Sequence, residues 1–153
     1  MKKNGPLAAL AILVLMACQE QTKTINTDPA AVKSEIREFI RTLDEAAETN
    51  SAEAYCNHFL QSDDLVVATQ GYLMTGYPAV YDTIMVHFSQ MEKQEIETTG
   101  ERIDIINDEA AVVSTSKTTT ITFRNGYQMT MPYALTMLIR KVNGEWKIAH
   151  YHN

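Results

Sequence analysis

Cysteine is scarce in this chain of 153 residues, with only Cys18 and Cys56. That excludes a small disulfide-stapled scaffold and a paired-cysteine metal knuckle, both of which need several cysteines at set spacings. Uninterrupted apolar sequence is short as well. No run reaches the roughly 20 residues a spanning helix requires. Basic residues are outnumbered: 13 Lys and Arg stand against 19 Asp and Glu, for a formal charge of -6. No basic cluster follows Lys2-Lys3, which argues against a nucleic-acid partner. A Gly-rich phosphate loop and a serine-nucleophile motif are also missing. What remains is 45% hydrophobic and 21% charged, enough apolar material for one core and too much for a disordered chain.

The first residues read as an address. Lys2 and Lys3 precede an apolar stretch from Leu7 to Leu15, the pattern of a secretory signal peptide. Leu15-Met16-Ala17-Cys18 resembles a bacterial lipobox cleaved before Cys18. That resemblance implies a signal peptide over 1–17 and a lipidated Cys18 as the mature N-terminus. Several acyl chains, each buried methylene contributing about 0.8 kcal/mol, would hold the protein on a membrane. Gln19 is not the Asp that commonly retains lipoproteins at the inner membrane, so the expected location is the cell envelope, at the outer membrane facing the periplasm. Residues 18–29 are polar, without periodicity, and read as the lipidated Cys and a flexible tether. Cleavage removes two lysines and no acid, which moves the formal charge from -6 to -8. With Cys18 acylated, Cys56 has no partner for an intrachain disulfide.

Residues 30–153 then form one domain. Val32, Ile36, Phe39, Ile40, Leu43 and Ala47 recur at helical spacing behind an Asp28-Pro29 start. A second short helix is expected around Ser51–Phe59, a brief strand over Leu65–Thr69, and a turn-rich connection between Gly71 and Gly76. Pro78 opens a third helix with Val80, Ile84, His87, Phe88 and Met91 on one side. Four strands follow, at 96–106, 111–123, 127–142 and 145–152. Turn signals separate them at Asn107-Asp108, Asn125-Gly126 and Asn143-Gly144. The expected class is α+β, three N-terminal helices packed on a strongly curved antiparallel sheet.

Alternation sets the strand faces. Tyr127, Met129, Met131, Tyr133, Leu135, Met137 and Ile139 occupy every second position and should point inward. A two-residue Asn143-Gly144 turn pairs Val142 with Glu145 and Ile139 with Ile148. Continued regularly, it pairs Met137 with His150 and Leu135 with His152. Trp146, Ile148, His150 and His152 would then share the buried face. Ile103 and Ile105 point inward and Asp104 outward. For the Asn125-Gly126 hairpin two registers are open. A two-residue turn sets Thr118, Thr120 and Thr122 against the methionines, and a three-residue loop with a bulge at Gly126 aligns Val113, Ile121 and Phe123 with them. Burial favours the second.

Three helices, a curved sheet and the ending Gly144-Glu145-Trp146-Lys147-Ile148-Ala149-His150-Tyr151-His152-Asn153 resemble the nuclear transport factor 2-like superfamily, in its SnoaL-like group. The resemblance covers about residues 30–153. It implies a cone-shaped fold with a pocket between helices and sheet, and relatives that include isomerases, dehydratases, cyclases and proteins without known activity. Dimerisation through the outer sheet face is a further implication, weakly matched by Ser114, Ser116, Thr118 and Thr120.

His150 and His152 are the sharpest site candidates, because a neutral imidazole near pKa 6.5 serves as acid or base. They would act as catalytic bases or orient a ligand. The bland alternative is a pair of buried histidines hydrogen-bonded to tyrosines or backbone. Zinc would need a third ligand from His58, His87 or Cys56, which nothing places nearby, so no metal and no cofactor is expected. A carboxylate inside the pocket is not evident: Asp63, Asp64, Asp82, Asp104, Asp108 and Glu109 all read as outside it. Tyr55, Tyr72, Tyr133, Leu135, Met137, Trp146, His150 and His152 form the expected ligand-binding set. The expected ligand is a small apolar or aromatic molecule. Catalysis by an isomerase, dehydratase or cyclase route through a histidine, and a purely structural dimer module, are the alternatives.

Overall fold

The computed structural model describes residues 27–153. The signal peptide, Cys18 and most of the tether lie outside the described residues. Helix α1 spans Pro29–Glu48. The Asp28 side chain accepts from the Ala30 amide at 3.0 Å, and Pro29 sits where a helix has no use for an N–H. Its buried face is the stripe expected from the sequence, joined by Ala46. After Asn50, in the left-handed region at φ 54°, Ser51 caps the short helix α2, Ala52–Cys56.

Strands β1 (Val66–Thr69) and β2 (Tyr72–Thr75) form a hairpin. The segment expected as turn-rich connection is thus a strand. Gln70 and Gly71, both at positive φ, make the tight turn, so the glycine marks a hairpin tip rather than a loop. Gly76 at φ 80° then leads into α3, Tyr77–Gln90, with Pro78 in its first turn. Only Val80 and Phe88 of α3 are fully buried, and His87 is exposed.

Four long strands complete the sheet: β3 (Met91–Asn107), β4 (Ala110–Phe123), β5 (Gln128–Val142) and β6 (Glu145–His152). The spatial order is β2-β1-β6-β5-β4-β3, with β1 parallel to β6 and every other pair antiparallel. β3 starts five residues earlier than the sequence suggested. Its first residues, the buried Met91 and the polar run Glu92 to Glu95, pair with the far end of β4. Irregularities in β3, one of them between Thr98 and Gly100, bend the sheet. Gly100 suits that bend, since a Cβ there would lie 2.7 Å from the Ser116 Oγ.

The β4–β5 connection takes the three-residue form. Gly126 donates to the Phe123 carbonyl, Phe123 bonds Tyr127, and Val113 and Ile121 face Met137 and Met129. Tyr127 itself, expected inward, is 60% exposed and stacks on Phe123 beside the loop. From Met129 to Ile139 the odd positions face inward, becoming fully buried at Leu135, Met137 and Ile139. Ile103 is buried and Asp104 exposed, as the alternation requires.

The core proper packs α1 (Val32, Ile36, Ile40) on the inner face of the sheet, with Val113, Ile139 and Ile148 wholly buried. Cys56 is buried and free, and burial lifts its thiol to about 11, so it stays protonated and inert at neutral pH. No helix among the described residues is long and apolar enough to cross a membrane.

Candidate functional site

One irregularity decides the site. Asn143 and Gly144, both at positive φ, turn β5 into β6 and pair Val142 with Glu145 and Ile139 with Ile148, as expected. Between Ile139 and Leu138 the register then shifts, and Leu138 faces His150 rather than Ala149. Ala149 is the extra residue of a β-bulge and is buried alongside Ile148. Every side chain beyond it is reversed relative to a regular strand.

His150 and His152 therefore stand exposed on the outer face, opposite Leu138 and Thr136, and Tyr151 points inward opposite Met137. The inward placement expected for the two imidazoles is corrected, and with it the histidine route to catalysis in the pocket. Neither ring lines the cavity. The outer face also carries the Ser and Thr row, cross-linked by contacts such as Thr120 to Thr130 at 2.9 Å.

The cavity lies between α1, α2, α3 and the inner face of the sheet, with a volume of about 400 Å³. Of the expected ligand set, Tyr55, Tyr133, Leu135 and Met137 line it. Tyr72 does not: it is 73% exposed on the edge strand β2. Trp146 does not either. It is buried on the inward side of β6, but its indole donates to Glu35 at 3.3 Å under the Lys141 ammonium, in a separate groove beside α1. Most of the cavity wall is apolar and soft, built from Val67, Met74, Ile84, Phe88, Ile121, Met129 and Met131 among others.

Tyr55 and Tyr133 are expected here from the sequence, but the charged part of the wall is not. Asp44 of α1 and Lys117 of β4 both line the cavity and form an ion pair in which the ammonium bonds both carboxylate oxygens. Lys117 is 2% exposed. Burial outweighs the attraction of Lys117 and holds the Asp44 carboxyl above its ordinary range, with Glu48 adding a smaller push the same way. Tyr55, Tyr133 and Tyr151 join them. Burial weakens each as an acid, lifting the pKa of Tyr151 to about 12, so all three remain neutral hydroxyls at physiological pH. The result is a carboxylate, an ammonium and three hydroxyls set in a partly open, largely apolar pocket whose wall also holds His87 and several Thr and Gln side chains.

The signals for these residues exist in the sequence. Asp44 follows Leu43 and lies four residues after Ile40, at the margin of the α1 stripe. Lys117 shares the parity of Val113 and Ile121, a position where a lysine breaks the inward pattern. Tyr151 needed the bulge.

The remaining candidates stay structural. His58 donates from Nδ1 to the Ala54 carbonyl at 2.9 Å, touches the Thr42 hydroxyl at 3.0 Å and is held below its usual pKa by burial. Among the described residues no three His, Cys, Asp or Glu side chains converge as a metal site.

A curved six-stranded sheet closed by three N-terminal helices over an internal cavity defines a cone-shaped α+β domain of the nuclear transport factor 2-like kind. Within that class the chain belongs to the SnoaL-like domain family, whose model matches residues 36–153. Solved structures agree on the fold. A nuclear transport factor 2-like superfamily protein from Salmonella enterica shares 18% identity at a TM-score of 0.73, over 82% of this chain and 91% of that one. A candidate scytalone dehydratase from Novosphingobium aromaticivorans shares 15% at 0.73, over 80% and 83%. A protein described as a calcium/calmodulin dependent protein kinase II association domain from Xanthomonas campestris shares 18% at 0.69, over 84% and 89%. No curated protein matches the chain.

Proposed function

We propose that this SnoaL-like domain binds a small apolar or aromatic molecule in the cavity between its helices and its sheet. The observation that carries the reading is the cavity itself, about 400 Å³ of largely apolar wall that includes the Asp44–Lys117 pair. Ligand sites have this size and this ratio of greasy wall to convergent polar groups. A merely filled core would not leave such a space open beneath α3.

The test uses the neutral fluorophore N-phenyl-1-naphthylamine, whose emission rises in apolar surroundings. Saturable binding with one site per chain is expected. Met131→Trp, which projects a larger side chain into the cavity, should weaken it at least tenfold with the fold intact by circular dichroism. Absence of saturable binding, or binding indifferent to Met131→Trp, would remove the proposal.

The anchor forms part of the same reading: the domain works at the bacterial cell envelope, tethered through a lipidated Cys18. Labelled palmitate should enter the wild-type protein, which should fractionate with membranes, whereas Cys18→Ser should take up no label. Equal labelling of both would refute the anchor.

A second reading rests on Asp44. A carboxylate held above its usual range by burial, within an apolar pocket and beside neutral tyrosine hydroxyls, is equipped to accept a proton from a bound ketone. It replaces the histidines in the cofactor-independent isomerase or dehydratase class.

A further inference from the structure

We infer that the Lys117–Asp44 pair selects the ligand: it admits an uncharged molecule with an apolar or aromatic body that bears one hydroxyl or ketone oxygen. The inference rests on the ligand-binding reading above and narrows it.

Charge is the first ground. Among the described residues that line the cavity, Asp44 and Lys117 form an ion pair, and their charges cancel. A carboxylate ligand would leave one uncompensated negative charge in a low-dielectric enclosure, and an amine one positive charge. Burying an unpaired charge is far more costly than burying a neutral polar group. The pair thus rejects ions of both signs.

Hydrogen-bond capacity is the second ground. An ammonium has three N–H groups. Two of those of Lys117 go to the Asp44 oxygens, which leaves one N–H beyond that pair. That donor belongs to a side chain 2% exposed. Asp44 retains lone pairs beyond those Lys117 uses, and its side chain is 22% exposed. The hydroxyls of Tyr55 and Tyr151 lie close enough to affect each other's ionisation. One ligand oxygen placed there meets a donor in Lys117. If it is a hydroxyl, it also meets an acceptor in Asp44. A bare hydrocarbon satisfies neither, and leaving buried polar groups unpaired is what gives such sites their discrimination.

The rest of the cavity fixes the body of the ligand. Phe88, Phe123, Met129 and Met131 offer aromatic and thioether surface that suits a flat ring system.

The experiment displaces N-phenyl-1-naphthylamine from the full chain with three probes of one shape: naphthalene, 2-naphthol and 2-naphthoate. In the wild type, 2-naphthol should bind at least tenfold more tightly than either of the others. In Asp44→Leu/Lys117→Met, which removes both charges together, its advantage over naphthalene should fall below threefold. A wild-type advantage under tenfold overturns the inference, as does an advantage of threefold or more that persists in the double variant. The two levels of failure are distinct. If the fluorophore binds and the selectivity is missing, the cavity remains a binding site and the polar selection falls. If the fluorophore does not bind, both fall.

Discussion

Lys117→Met is expected to destabilise the domain by about 3 to 5 kcal/mol, the usual result of removing one partner from a buried ion pair. The melting temperature should drop by roughly 10 °C. The loss comes from what is left behind, since Asp44 would keep its charge in the cavity wall with nothing to neutralise it. The double variant Asp44→Leu/Lys117→Met removes that orphan and should be about as stable as the wild type, or more so, because apolar groups can replace a buried pair without loss. Acidity separates the cases further. The Asp44 carboxyl sits above its ordinary value of 3.8 in the folded protein. A raised folded value means that the native state binds the proton more readily than the unfolded chain. That stabilising contribution is complete below the unfolded value and disappears as pH rises through the folded one. The double variant lacks the carboxyl, so its stability relative to the wild type should improve between about pH 4 and neutrality. The loss in Lys117→Met should shrink on acidification, as Asp44 takes up a proton. Urea midpoints at the two pH values measure all of this. A single variant as stable as the wild type at neutral pH would show that the pair is solvated and not part of the cavity wall.

The same two residues mark the limit of what the sequence reveals. The α1 stripe was legible because every third or fourth residue from Val32 to Ala47 is apolar and the cap residues Asp28 and Pro29 precede it. The β5–β6 turn was legible from Asn143-Gly144, and the three-residue β4–β5 loop from the burial it gives Val113 and Ile121. These are local patterns with local causes. Ala149 has no such signature: an alanine in a strand carries no mark of a bulge, and the neighbouring Ile148 is held from across the chain, its amide donating to the His58 carbonyl and its carbonyl accepting from the Leu60 amide. One unmarked residue reversed three side chains, which put His150 and His152 outside and Tyr151 inside. The signal for Lys117 is faint for another reason. Ser and Thr flank it on both faces of β4, so polarity alternates too weakly for a single inward lysine to stand out. Asp44 escaped because a stripe traced through apolar residues passes over a carboxylate at its edge.

The bulge removes both imidazoles from the cavity, and the proposed role of Asp44 as a base can be tested on a bound ketone. With 2-tetralone in deuterated buffer, the wild-type protein is expected to exchange the protons beside the carbonyl about a hundredfold faster than buffer alone, the lower part of the range for a positioned acid–base group. Asp44 would take the proton from the carbon next to the carbonyl. The electron pair moves onto the ketone oxygen to form an enolate, and the Lys117 ammonium with the tyrosine hydroxyls would hold that negative oxygen. Return of a deuteron from Asp44 to carbon completes exchange without net reaction, so no co-reactant is needed. Asp44→Leu/Lys117→Met, the variant expected to remain folded, should lose the acceleration, and His150→Gln/His152→Gln should retain it, because both rings lie on the far side of the sheet. Proton resonance spectra follow the exchange directly. Acceleration abolished by the histidine changes would return the chemistry to the outer face. No acceleration in a protein that binds the neutral fluorophore would leave a pocket that holds its ligand without transforming it.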